Sequence, residues 1–233
     1  MNAALKKSAA VAHRLGDEWL MAYAAGALSE GQSLLVASHL SFIDDAPARL
    51  AAAEAVGGAL IDDLAPDLMA PGALAQTLAR LDAAEPPRPA ALPAAGDNYL
   101  PAAGDDPLPA PLRDWLGRGV DELKWSFLGP GMKKVKLWRG GPGDQRLWML
   151  RARPGVKIPK HGHRGTELVL VLKGSFSDPH GGFRPGDVEE SDGARMHALD
   201  IDEGEECICL ALTEGPIRFE SWIARAIQPF IGL

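Results

Sequence analysis

Residues 155–174 read Gly-Val-Lys-Ile-Pro-Lys-His-Gly-His-Arg-Gly-Thr-Glu-Leu-Val-Leu-Val-Leu-Lys-Gly. His161 and His163 stand two apart, so on an extended segment both imidazoles point to one face, and Gly162 leaves room between them. Glu167 opens the apolar run that follows a turn and can return its carboxylate to the two rings. Further on, Gly186-Asp-Val-Glu-Glu begins another strand-like segment, and His197 follows a turn at Asp192-Gly193. Three neutral imidazoles and one carboxylate suit Zn²⁺, and also Fe²⁺ or Mn²⁺ in more open sites. An HxH pair on a strand is by itself more often incidental than ligating. The glutamate four residues on and the later histidine supply the further donors that a cation would need. His161, His163, Glu167 and His197 are therefore the expected metal ligands.

Around this stretch, residues 112–233 keep a period of two with turn residues every eight to twelve positions. Residues 132–138, 146–151, 167–173, 187–190, 207–212 and 217–222 read as strands, separated by Gly140-Gly-Pro-Gly, Pro179-His-Gly-Gly and Pro185-Gly-Asp. Short, evenly spaced strands with Gly/Pro turns point to a sandwich or barrel. Cys207 and Cys209 share a face of one strand, where a bridge between positions i and i+2 would be strained, so they read as reduced packing residues. His180 reads as a solvated turn residue.

The first third differs. Asp17–Gly26 starts with acidic residues suited to a helix N-terminus, Ser29 caps a segment to about His39, Ala46–Val56 is Ala-rich and should stop at Gly57-Gly58, and Leu74–Leu81 reads as a last helix. Eight of the 19 prolines fall between residues 83 and 111, which marks a semi-rigid linker. The expected fold class is thus α+β multidomain: a small helical bundle (1–82), a Pro/Ala-rich linker (83–111) and a β-domain (112–233).

Composition excludes several classes. With 46% hydrophobic and 24% charged residues in 233, the chain is globular, and two cysteines exclude a disulfide scaffold. No apolar run reaches the roughly 18 residues of a membrane helix, and no secretory leader is read, so the cytoplasm is the expected address. A net charge of −7 argues against direct nucleic-acid binding. Residues 1–82 hold five Lys/Arg against ten Asp/Glu, so the acidity is concentrated there. That reads either as an ordinary solvated surface or as a module that docks a basic partner.

The spacing from Gly155 through His161, His163 and Glu167 to Gly174 resembles the first motif of the cupin superfamily, and Gly186, Gly193 and His197 keep part of the second. The resemblance implies a double-stranded β-helix (jelly-roll) with the four ligands pointing inward. The segment from Asp17 to Leu40 is similar to the helical module of the ChrR anti-sigma family, in which such helices precede a C-terminal cupin. That resemblance implies inhibition of an extracytoplasmic-function sigma factor in transcription regulation, with a response to singlet oxygen and related oxidative stress. The family's helical domain carries zinc through an early histidine and H-x3-C-x2-C. Here His13 and His39 stand for the histidines, but Ile43 and Ala46 occupy the cysteine positions, so no zinc is expected in this domain. Without thiolates, His13 and His39 read as helix-end or partly buried histidines.

Three functions follow as expectations. The first is an anti-sigma factor whose cupin metal, zinc foremost, senses or supports the stress signal without turnover. The second is a metal-dependent cupin enzyme, a dioxygenase or C–C bond hydrolase, with iron on the same four residues. The third is a cupin serving only for ligand binding or dimerisation, and a homodimer stays open.

Overall fold

A computed structural model describes residues 10–83, 106–193, 196–215 and 217–219. Most of the expected linker, residues 84–105, and the end of the last expected strand, 220–222, lie outside the described residues.

Four helices come first. α1 (Asp17–Ala24) carries Asp17 and Glu18 in its first turn, and α2 (Glu30–Leu40) is capped by Ser29 in a box with Gln32. α3 runs Ala46–Asp62, and α4 runs Ala73–Ala83. The expectation that α3 stops at Gly57-Gly58 is corrected. A glycine pair ends a helix when the chain turns left-handed there, and neither glycine has a positive φ. α5 (Ala110–Leu116) follows and ends at Gly117, which is left-handed. Leu108 and Leu112 are fully buried, so the packed chain resumes before residue 112.

The remainder forms two antiparallel sheets. One has the order β1 (Ser126–Gly129), β2 (Met132–Gly140), β3 (Gln145–Ala152), β10 (Cys207–Glu214), β5 (Glu167–Lys173), β8 (Val188–Ser191). The other has the order β11 (Arg218–Phe219), β4 (Lys157–Gly162), β9 (Met196–Ile201), β6 (Phe176–Asp178), β7 (Gly181–Phe183). The expected strands appear with boundaries shifted by a residue or two, and the HxH segment, read only as extended, forms β4. Gly174 turns the chain after β5 at φ 69°, and a Cβ there would collide with the backbone of Glu206 and Cys207.

Two apolar layers result, and the pleat assigns residues to them. From β5, Leu168, Leu170 and Leu172 face outward; from β10, Ile208, Leu210 and Leu212 do the same. This outer layer is covered by Leu34, Leu35 and Val36 of α2 and by Leu108 and Leu112. α2 lies close: a Cβ on Gly31 would meet the Trp138 ring at 2.7 Å. The inner layer takes Val169 and Val171, Cys207, Cys209 and Ala211, together with Phe176, Phe183, Leu199 and Ile201 from the facing sheet. A strand buried on both faces shows a continuous apolar run instead of an alternating one, as Leu-Val-Leu-Val-Leu and Cys-Ile-Cys-Leu-Ala-Leu do. α1, α2 and α5 therefore share one core with the sheet. α3 and α4 stand apart from it: only Ala46 and Ala53 of α3 are buried, and nothing of α4 is.

Candidate metal centre

β4 ends on Lys-His161-Gly and pairs with β9 so that His161 lies opposite His197. His163 follows directly after β4, and Glu167 is the first residue of β5 on the opposite sheet. The four side chains are buried, and one donor atom from each falls within 4.8 Å of all the others. Ring centroids separate His161 from His197 by 4.6 Å and His161 from His163 by 5.2 Å. The two sheets thus bring together all four residues singled out from the sequence.

Hydrogen bonding tests whether they fit a cation. The Nδ1 of His161 lies 2.9 Å from the Pro159 carbonyl, which can only accept, so the neutral ring carries its proton there and presents an unprotonated Nε2. His163 Nε2 is 2.8 Å from Glu167 Oε2, and His197 Nε2 is 3.4 Å from the same oxygen. Yet no ring nitrogen of His163 or His197 has a hydrogen-bond partner of adequate geometry. Buried imidazoles packed against a carboxylate without aligned hydrogen bonds are what a shared third atom would satisfy. The cluster could hold a metal ion.

Electrostatics point the same way. Burial opposes the charge on Glu167, but the rings of His163 and His197 outweigh it and hold the carboxyl at about 2. Burial dominates at His161 and lowers it to about 4, which favours the neutral ring that a metal needs. His197 is the exception. Burial lowers it, but Glu167 and Glu189 outweigh that and carry it up to about 9. A cation and this proton compete for the ring.

Glu189 escaped the sequence reading. It sits on β8 opposite Val169, points inward, and places Oε1 3.2 Å from His197 Nδ1. The signal was available in the period of two: once Val188 faces outward, Glu189 must face in. Asp178 comes near the same ring, but its Oδ1 accepts the backbone N–H of His180 and Gly181. His180 itself is exposed, as expected. Cys207 and Cys209 are buried and free, with sulfurs 3.5 Å apart.

The other two histidines are placed differently. His39 is buried, accepts the Leu15 N–H through Nε2 at 3.2 Å, and donates from Nδ1 to the Gly186 carbonyl at 2.9 Å. His13 is half-buried and packs its ring 4.5 Å from that of Phe183. Beside them, Asp187 accepts the N–H groups of Ala12 and His13, and Val188 N–H donates to His13 O. The chain before α1 is thereby fastened to the loop that leads into β8.

A two-sheet jelly-roll holding three histidines and a glutamate at this spacing defines a cupin. Within that class, the family described as the ChrR cupin-like domain matches residues 117–217. The anti-sigma-E factor ChrR of Cereibacter sphaeroides is 42% identical over 220 residues, which are 94% of this chain and 98% of that one. The chain belongs to the ChrR family. The crystal structure of Rhodobacter sphaeroides SigE in complex with the anti-sigma factor ChrR superimposes with a TM-score of 0.70 at 39% identity, covering 87% of this chain and 99% of that one. An RmlC-like cupin protein from Ralstonia eutropha matches 45% of this chain and 71% of its own at 18% identity and a TM-score of 0.40. Among the described residues, no helix is long and apolar enough to cross a membrane.

Proposed function

We propose that this chain is an anti-sigma factor that acts in the cytoplasm. Its N-terminal helices hold an extracytoplasmic-function sigma factor. Its cupin binds one divalent metal, zinc foremost, through His161, His163, Glu167 and His197, and that site senses or supports the oxidative-stress signal. The observation that carries this reading is likeness along nearly the whole length to a ChrR anti-sigma factor, helices and cupin in the same order.

The surface supports it. Leu74, Leu78 and Leu81 of α4 are at least half exposed, as are Leu60 and Ile61 at the end of α3 and Leu64, Leu68 and Met69 beyond it. An exposed apolar surface of this kind marks a protein–protein site. The acidic balance of residues 1–82 suits a basic partner.

The test is co-expression with an extracytoplasmic-function sigma factor followed by affinity capture. Wild-type protein retains the sigma factor, and Leu74→Asp/Leu78→Asp loses it with an unchanged melting temperature, since both side chains face solvent. Failure of the wild-type chain to retain any such factor overturns the reading.

A further inference from the structure

Between the sheets, next to His161 and Glu167, lies a cavity of about 750 Å³. Besides those two donors the wall carries Lys157, which pairs with Asp200, and Thr213; the rest is apolar, with Met132, Leu150, Val156, Ile158, Phe176 and Leu199 among the side chains. The room comes from residue choice. On β10 the outward positions are Ile208, Leu210 and Leu212, while the inward ones are Cys207, Cys209 and Ala211. On β5 the outward positions are three leucines, and the inward ones beyond Glu167 are Val169 and Val171. Both central strands thus put bulk on the helix-covered face and small side chains on the inner face. Protein interiors otherwise fill such space with their own side chains, so an apolar chamber kept open on one face only is a place for a ligand.

We propose that this cavity binds an aliphatic monocarboxylate, tail along the apolar wall and carboxylate at the His161/Glu167 end. The class follows from the apolar wall and the buried donors at its His161/Glu167 end; Lys157 is exposed and already paired with Asp200. Branched aliphatic side chains outnumber aromatic ones in the lining, eight (Leu, Ile and Val) against Phe127, Trp148 and Phe176, which suits an alkyl chain. A divalent cation held by these four residues would take a carboxylate oxygen more readily than a neutral hydroxyl, the anionic oxygen being the stronger ligand, which favours an anionic head over a neutral one. A ten-carbon carboxylate, with each heavy atom taking about the 30 Å³ of a liquid water, fills roughly half the chamber. The inference rests on the reading of the four residues as a metal site.

The experiment titrates sodium decanoate into the full-length, zinc-loaded protein by calorimetry, with zinc content measured on the same sample. Decan-1-ol provides the tail with a neutral head, and acetate provides the head without the tail. One decanoate should bind per chain at least tenfold more tightly than either comparator. Ala211→Leu, which fills the chamber from its floor, should weaken decanoate at least tenfold with zinc retained. Ile158→Trp, at a half-buried wall position that tolerates bulk, should do the same if Ala211→Leu fails to fold. A chain that carries one zinc but binds no decanoate overturns the proposal and leaves the metal site standing. Equal binding of decanoate and decanol overturns the placement of the head. A chain that takes up no metal overturns the metal reading itself, and the head-group placement with it.

Discussion

Two sets of buried histidine serve opposite ends in this molecule. His39, between the helices and the sheet, has both ring nitrogens committed to backbone: Leu15 N–H fixes Nε2 as acceptor, so Nδ1 must donate to Gly186 O. His163 and His197, between the two sheets, are equally buried, yet their nitrogens crowd one carboxylate without aligned partners. Burial therefore does not mark a ligand; unsatisfied ring nitrogens converging on one point do. The comparison also gives a physical account of the family's helical zinc positions as they stand here. Ile43, at the first of the two cysteine positions, is buried apolar packing. His39 joins the helices to the cupin through Leu15 N–H and Gly186 O.

The largest expected effect separates the two sets by metal content. Elemental analysis of the full chain should give one divalent metal, and His161→Ala/His163→Ala should give none, because two remaining donors bind zinc weakly. A second equivalent in the wild type, or an unchanged one in the double variant, breaks the comparison. The next effect is on stability. His39→Ala leaves the Leu15 N–H and the Gly186 carbonyl buried and unpaired, each costing about 1–3 kcal/mol, so a loss of about 3 kcal/mol is expected in urea unfolding. A loss below about 1 kcal/mol would show that the bonds from His39 to the sheet contribute little.

Most of the β-domain and the four metal donors were legible in sequence because they depend on short-range pattern. The spacing of His161, Gly162 and His163 with a glutamate four residues on survives any detail of packing, and the alternation of β-strands is local. Three things were not legible. The end of α3 was misplaced because Gly57 and Gly58 are tolerated in a helix whose neighbours are mostly alanine, and the sequence does not show the sign of φ. The docking of α2 on the sheet was written in the unbroken apolar runs of β5 and β10, which require cover on both faces, but what covers them depends on tertiary contact. Glu189 could be found only after strand pairing set which face of β8 points inward.

Acidity sharpens the comparison further. Burial lowers His39 to about 4 from its usual value near 6.5, with the contact to Gly186 opposing. A depressed base is neutral when folded and charged when unfolded between these values, so the unfolded chain binds more protons there. Stability from His39 is complete above pH 6.5 and is lost as pH falls from 6.5 towards 4. Between pH 7 and pH 5 this amounts to about 2 kcal/mol. His39→Gln can keep one donor and one acceptor without titrating. Its denaturation midpoint should fall less than that of the wild type over this interval, and parallel curves would show that His39 is not the titrating group.

The smallest effect concerns Glu189, which stands behind one member of the second set. With Oε1 3.2 Å from His197 Nδ1, though not aligned for a hydrogen bond, its charge favours the ring proton on that nitrogen and leaves Nε2, the nitrogen facing Glu167, to a cation. Carboxylate partners of ligating histidines typically contribute about 10–100-fold in metal affinity. Glu189→Gln keeps an acceptor but loses the charge, so zinc affinity by chelator competition should fall about tenfold, and Glu189→Ala should fall further, towards about 100-fold. Wild-type affinity in both variants would mean that His197 is oriented by packing alone. The two histidine sets would then differ only in what their nitrogens face, and not in how their rings are held.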